Sequence, residues 1–288
     1  MATLHASGLT LKYDQRIVLE GLSTEIPEGE VTMIVGANAC GKSTLLRALS
    51  RLLKPAAGTV SLGGKDIHTR PAREVARILG LLPQHPTAPD GVTVRDLVGR
   101  GRFPHQSFFR GWSGGASPQD ERAVHEAMSA TDTLGLADRT VDHLSGGQRQ
   151  RVWIGMALAQ ETEVLLLDEP TTYLDLAHQV EVLDLLTDLN RRRGTTVAIV
   201  LHDLNLAARY ADHIIAMKNG RIAAEGDAGT VITESLVRDV FGLESRVVSD
   251  PVSGTPLIVP LGRHHTAPAV PAHASSASVP NPQLELIP

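Results

Sequence analysis

The sequence predicts an α/β fold built around a phosphate-binding loop, and three observations predict it. Residues 36–44 read Gly-Ala-Asn-Ala-Cys-Gly-Lys-Ser-Thr, which satisfies every fixed position of the pattern G-x-x-x-x-G-K-[ST]. A β-branched, mostly apolar run containing Val31, Met33, Ile34 and Val35 precedes it, and Leu45, Leu46, Leu49, Leu52 and Leu53 follow at helical spacing until Lys54-Pro55 stops the helix. Further on, residues 164–169 read Val-Leu-Leu-Leu-Asp-Glu, a parallel-type buried strand ending in two carboxylates. A strand, a glycine-rich turn and a helix in that order let backbone N–H groups at the helix start point at an anion. In that geometry Lys42 reaches the β- and γ-phosphates of a nucleotide and Ser43 ligates Mg²⁺.

Composition sets the outer limits. The 288 residues are 42% hydrophobic and 20% charged, enough for a substantial core in a soluble chain. A net charge of −5 supplies no broad basic field, so no nucleic-acid partner is expected. The lone cysteine, Cys40, excludes an intrachain disulfide framework and suits a reducing cytosol. There is no secretory signal pattern, and the most apolar runs, at residues 164–167 and 197–201, have strand length rather than the ~20 residues of a membrane span. Work at a membrane would need a partner that supplies the spanning helices.

Upstream of the loop, residues 4–26 alternate short β-type runs with turn residues, and Tyr13-Asp14 separates Leu9-Thr10-Leu11 from Ile17-Val18-Leu19. That pattern predicts an antiparallel β piece leading into a strand over residues 30–35. Residues 58–64 predict a strand and turn, and residues 78–82 another strand, ended by Pro83-Gln84. Residues 91–160 then change to helices and loops. Residues 92–99 read as a short helix, and Ser117-Pro118-Gln119-Asp120 as a helix start with Ser117 as N-cap and Asp120 closing a capping box. The loop between them carries Phe103, Phe108, Phe109 and Trp112, either a local mini-core or a docking surface.

A further helix runs from Ser145 through Trp153 and Leu158. Residues 176–193 are amphipathic, with Leu176, Val180, Leu183 and Leu186 on one stripe and Arg191, Arg192 and Arg193 complementing the helix dipole at the end. A β-rich run at residues 195–201 is followed at once by His202-Asp203, and residues 212–225 predict a hairpin turning at Lys218-Asn219-Gly220-Arg221. Residues 1–262 make one nucleotide-binding domain. Residues 263–288 are an Ala/Pro/Ser/His tail expected to be disordered, whose His264, His265 and His273 read as solvated rather than as metal ligands.

Five short elements carry the chemistry. Asp168 emerges at the C-terminal edge of a strand, where ligands of parallel α/β sheets bind, and can complete the Mg²⁺ shell begun by Ser43. Glu169 is the extra carboxylate, available to orient and deprotonate an attacking water. Leu144-Ser145-Gly146-Gly147-Gln148, directly before a helix, is a second anion site without its own lysine. Two anion sites in one chain suggest that a nucleotide is held between two copies. Gln84 and His202 each lie just past a strand, placed to offer an amide to metal or water and an imidazole near a γ-phosphate.

Taken in order, these pieces resemble an ATP-binding cassette (ABC) subunit of a transporter. The resemblance spans residues 4–262 and makes residues 36–44 (Gly36, Ala37, Asn38, Ala39, Cys40, Gly41, Lys42, Ser43, Thr44) the Walker A loop, Gln84 the Q-loop and residues 144–148 the signature, with Ser145, Gly146, Gly147 and Gln148 on nucleotide. It makes residues 164–169 Walker B, Asp175 the D-loop, His202 the switch histidine and Tyr13 the aromatic stacked on adenine. The fold implied is a P-loop NTPase with a RecA-like core, an antiparallel β subdomain and a helical signature subdomain over residues 88–160. ATP and Mg²⁺, a homodimer, an integral-membrane permease, an extracytoplasmic siderophore-binding protein and a location at the cytoplasmic face of the membrane are implied with it.

Finer stretches resemble the branch that powers iron–siderophore import, of the ferric-enterobactin type. They are residues 99–105 (Gly-Arg-Gly-Arg-Phe-Pro-His), 171–179, 201–205 and 252–262. Vitamin B12 and haem importers share parts of the pattern. A soluble cassette of translation or DNA maintenance would carry a second cassette, a coiled coil or a zinc insertion, none of which the sequence has, and a non-hydrolysing nucleotide sensor would not need both Glu169 and His202. Ala37 and Ala39 stand where family members usually have proline and glycine, and glycine at position 39 would serve a backbone conformation costly to alanine. Cys40, near a helix N-terminus, is expected to be a reactive thiol whose alkylation blocks turnover and which ATP protects.

Overall fold

A computed structural model describes residues 3–106, 117–262 and 264 of the chain. Strands β1 (Leu4–Tyr13) and β2 (Arg16–Ile26) pair antiparallel, with register shifts along the pair, and the turn between them holds Asp14 at φ 50°. β1 also pairs with β4 (Ala57–Leu62), which carries the short β5 (Lys65–Asp66), giving a four-stranded sheet in the order β2-β1-β4-β5. Its alternating burial turns Leu4, Ala6, Leu9 and Leu11 inward. They pack with Leu45, Leu46 and Leu49 of helix α1 (Lys42–Leu49) in one of two apolar clusters.

The second sheet has six strands in the order β10-β9-β3-β8-β7-β6. These are β3 (Val31–Gly36), β6 (Leu79–Leu82), β7 (Val164–Asp168), β8 (Thr196–Val200), β9 (His213–Lys218) and β10 (Arg221–Gly226). All neighbours are parallel except the β9–β10 hairpin, whose central residues Asn219 (φ 48°) and Gly220 (φ 77°) adopt the left-handed backbone that a tight two-residue turn requires. β3, β7 and β8 are buried at every position, which is why they read as continuous apolar runs rather than alternating ones. Because these three adjacent strands run the same way, Gly36, Asp168 and Leu201-His202 all leave the sheet at one edge.

Helix α2 (Ala72–Ile78) leads into β6, and α3 (Val94–Gly99), α4 (Pro118–Ala130) and α5 (Gly146–Ala159) pack on one another as a helical layer. α3 starts two residues later than the sequence suggests, because the Thr93 side chain accepts from Asp96 N and sets the N-cap there. The capping box at Ser117 and Asp120 forms as expected. The buried Arg102 pins this layer: its Nε donates to Asp120 Oδ1 (2.9 Å), and its Nη1 to the Ala159 carbonyl (2.7 Å) and Glu161 Oε2 (2.8 Å). Phe103 is 61% exposed, so this aromatic joins no mini-core, while Phe108, Phe109 and Trp112 lie outside the described residues.

Beyond α6 (Leu176–Arg193) and α7 (Leu204–Tyr210), the chain forms α8 (Ala228–Val231), α9 (Glu234–Phe241) and a two-stranded sheet of β11 (Ser245–Ser249) and β12 (Pro256–Pro260). Asn205 ties this last sheet to α7, accepting from Ile258 N (2.7 Å) and donating to Ile258 O (3.2 Å). Arg209 Nη2 donates to the buried Asp250 (2.5 Å), and Asp250 also accepts from Val252 N (2.8 Å). No helix among the described residues is long and apolar enough to cross a membrane. Apart from His264, the tail beyond Gly262 lies outside the described residues.

Candidate active site

The loop between β3 and α1 is shaped by three left-handed residues: Gly36 (φ 151°), Ala39 (φ 60°) and Gly41 (φ 109°). A Cβ on Gly36 would meet the Met217 backbone O at 2.3 Å, which leaves no room, and one on Gly41 would meet Leu19 Cδ2 at 2.5 Å and force that side chain to move. Ala39 does adopt the conformation that glycine would serve, at a cost of about 1–2 kcal/mol for an L-residue. Lys42 is buried, and its Nζ donates to the carbonyls of Gly36 (2.8 Å) and Ala37 (3.1 Å), so its ammonium is held across the mouth of the loop.

At the end of β7, Asp168 Oδ1 accepts from Ser43 Oγ at 2.9 Å. Burial pushes the Asp168 carboxyl above its usual range, with the Ser43 hydrogen bond opposing and neighbouring Glu169 reinforcing the shift. A hydroxyl and a carboxylate oxygen side by side are the donors a hard divalent cation takes, and a cation there would relieve that cost. Glu169 sits at φ 53° and is buried, with both oxygens engaged. Its Oε1 lies 2.6 Å from His202 Nε2, and its Oε2 accepts from Gln84 Nε2 (2.6 Å) and Thr172 Oγ1 (3.4 Å). Gln84 therefore holds the acid with its amide nitrogen and keeps its amide oxygen for other work.

These groups surround one cavity of about 500 Å³, lined by Asn38, Ala39, Gly41, Lys42, Ser43, Thr44, Gln84, Glu169 and His202, with Arg16 and Val18 of β2 closing the far side. Arg16 and Val18 were not legible as site residues. An arginine two positions after the Tyr13-Asp14 turn was the available signal, and only the bulged β1–β2 pairing brings it to the loop. Tyr13 does not line the cavity. It is 41% exposed, and its hydroxyl accepts from Arg47 Nη1 at 3.3 Å. Cys40 is a correction. Its side chain turns away from the cavity into the core with Leu19 and Leu45, and is 5% exposed, so a freely reactive thiol beside the nucleotide does not follow.

The signature residues lie elsewhere. Ser145 is exposed and caps α5: its Oγ accepts from Gln148 N (3.2 Å) while Gln148 Oε1 accepts from Ser145 N (3.2 Å). None of Ser145, Gly146, Gly147, Gln148 or Asp175 lines the cavity. Asp175 is the N-cap of α6. The start of α5 instead packs on the loop that follows Glu169. A Cβ on Gly147 would meet Leu174 Cδ2 at 3.3 Å, and Gln150 Nε2 donates to Pro170 O at 2.8 Å.

The ABC transporter family model matches residues 19–172, which include the phosphate loop, Gln84, the α5 start and the β7 acids. The chain belongs to the ABC transporter family. The cassette is 53% identical over 269 residues to the ferric enterobactin transport ATP-binding protein FepC of Escherichia coli (strain K12), with 93% of this chain and 97% of FepC covered. Among solved structures, it superposes with a TM-score of 0.76 and 28% identity on a metal-chelate type ABC transporter in an inward-facing conformation, over 91% of this chain and 98% of the other. It also resembles the dimeric, post-hydrolysis ATP-binding cassette MJ0796 bound to ADP and Pi, with a TM-score of 0.67 and 29% identity over 78% and 98% of the two chains. The cassette is thus an ATP-binding ATPase, with the α/β architecture of its family.

Proposed function

We propose that this cassette is the ATP-hydrolysing subunit of an importer that energises ferric-siderophore uptake, working with membrane permease subunits at the cytoplasmic face of the membrane. Its 53% identity to a ferric enterobactin transport subunit, over nearly the full length of both chains, supports the iron-chelate substrate. The observation that carries the hydrolytic mechanism is the buried Glu169, held on both oxygens by His202 and Gln84 beside a phosphate loop.

Lys42 exchanges its bonds to the Gly36 and Ala37 carbonyls for phosphate oxygens, joined by the loop N–H groups. Ser43, Asp168 and the amide oxygen of Gln84 would hold Mg²⁺, which would supply charge neutralisation for the phosphates. Glu169 then takes a proton from the attacking water as its oxygen bonds to the γ-phosphorus and the bond to ADP breaks, while His202 steadies the acid and the γ-phosphate. Such electrostatic help requires a dry site. The cavity is open on the phosphate side and the signature is exposed on the same chain, which favours a homodimer in which Ser145 and Gly147 of the second copy close the site. Residues 88–160 would pass the closure to the permease, and an extracytoplasmic siderophore-binding protein would deliver the cargo.

Phosphate release by the Glu169→Gln variant tests the chemistry: ATP binding is retained and turnover lost. Ferric-siderophore uptake in a strain lacking the subunit tests the cargo, and unchanged uptake of every iron chelate tried would remove the iron assignment while leaving the ATPase.

A further inference from the structure

The loop over residues 169–175 starts at the catalytic acid and ends at the N-cap of α6, so whatever fixes Asp175 fixes the far end of the segment that carries Glu169. Asp175 Oδ1 accepts two hydrogen bonds from one residue, the His178 backbone N–H (3.0 Å) and the His178 imidazole through Nδ1 (2.6 Å). Between the two ends, Thr172 N donates to Glu169 O (3.2 Å), Leu174 N to Thr171 O (3.2 Å), and Thr172 Oγ1 reaches the Glu169 carboxylate itself. The same loop touches the signature helix through Leu174 at Gly147 and Pro170 at Gln150. The loop therefore joins this chain's acid to this chain's signature, and the Asp175–His178 clasp anchors its far end on the first turn of α6. Gln179 Nε2 adds a bond to Leu174 O at 2.9 Å.

We propose that His178 is a positioning residue for turnover: it fixes Asp175 and the 169–175 loop so that Asp175 Oδ2, Tyr173 and Leu176 are presented as a rigid patch to the second copy. The inference rests on the dimeric ATPase reading above. Three observations carry it. Asp175 is an ordinary N-cap, which the backbone N–H of His178 alone would satisfy, yet the imidazole adds a second and shorter bond to the same oxygen. Tyr173 is 76% exposed and Leu176 66% exposed, an apolar pair flanking the carboxylate that a single chain leaves in water. Tyr173 also sits at φ 69°, a left-handed conformation that a loose loop would relax and a clasped one maintains.

Among the described residues, the other groups facing His178 are few. It lines a cavity of about 580 Å³ with Asp132 from the turn after α4, Arg151 from α5 and Glu181 from α6, so one cation and two carboxylates share its surroundings with Asp175. The hydrogen bonds from His178 hold the Asp175 carboxyl below its usual range, so the acceptor stays ionised under any assay condition near neutrality. Nδ1 must carry the proton for the pair to exist, which gives the clasp a spectroscopic signature independent of catalysis.

The test compares His178→Ala, His178→Asn, Asp175→Ala and the double variant His178→Ala/Asp175→Ala in the full chain. His178→Ala is expected to lower kcat on the order of fivefold, the factor a single exposed charge-assisted pair commands, with KM for ATP and the melting temperature unchanged. His178→Asn, whose amide can still donate, recovers most of the rate, and His178→Ala adds no loss in the Asp175→Ala background, where no acceptor remains. In ¹⁵N NMR of the wild type, His178 shows the Nδ1–H form, and Asp175→Ala removes that preference. Equal kcat in wild type and His178→Ala, a loss that persists undiminished in the Asp175→Ala background, or an Nε2–H form in the wild type overturns the proposal. Wild-type protein without turnover would overturn the ATPase reading and this role with it.

Discussion

The phosphate-loop side of the molecule and its signature side are finished to different degrees. Around the loop, the central charged groups already have partners inside the chain: Lys42 on two carbonyls, Asp168 on Ser43, Glu169 on His202 and Gln84. The backbone there carries strain at Ala39 and Glu169. At the start of α5, the Ser145 and Gln148 side chains bond only to each other's backbone N–H, and Ser145 is exposed. One side is a preorganised pocket; the other is a helix start that rests on the loop after Glu169 and leaves Ser145 exposed. The proposed homodimer would join the first half of one copy to the second half of the other.

The sharpest way to separate the halves is to disable each. Glu169→Gln should lower turnover by about 1,000-fold, as for loss of a general base, while a fluorescent ATP analogue still binds the isolated subunit. Gly147→Asp places a carboxylate at the surface helix end and should cost about 100-fold in phosphate release, again with nucleotide binding by the isolated subunit unchanged. If Gly147→Asp abolished nucleotide binding by the monomer, the two halves would belong to one pocket and the contrast would fail.

A reference outside both halves comes from the C-terminal sheet. The Arg209 guanidinium, with backbone N–H groups of Val252 and Ser253, holds the Asp250 carboxyl down to about 2. A carboxyl depressed in the folded state contributes stability above its unfolded pKa, near about 3.9, and loses it as pH falls toward the folded value. Asp250→Asn should therefore lower Tm by on the order of 3 °C at pH 7, and the difference should vanish between about pH 4 and about pH 2 with phosphate release at pH 7 unaffected. The smallest effect belongs to the strained loop itself. Ala39→Gly should raise Tm by about 2 °C by relieving the left-handed alanine, and Cys40 should react with maleimide only slowly, because its thiol is in the core.

Sequence alone reached the phosphate loop, the strands that bracket it and the acids at the end of β7, because each is a local pattern of spacing or burial. It also reached Ala39, where the missing glycine announced a backbone demand that the φ of 60° meets. It did not reach β11, β12, α8 or α9, which are short, with exposed Val248 and Val259 and no long apolar stripe, and which are stable only through partners such as Asn205 and Arg209 far back in the chain. Gln84 was legible as an amide past a strand, but its grip on Glu169 depends on β6 lying beside β7, a matter of topology. Cys40 misled because a motif position says which loop a residue occupies, not which way its side chain points. His178 stayed silent for the opposite reason: three residues past an N-cap aspartate, it reads as an ordinary first turn.

The most direct measurement mixes two inactive subunits, Lys42→Ala and Gly147→Asp, and follows phosphate release. A mixed dimer has one composite site made of an intact phosphate loop from one copy and an intact signature from the other. Turnover that rises on mixing, well above that of either variant alone, is the expected result. A mixture no more active than the average of its components would contradict a site completed by the second chain.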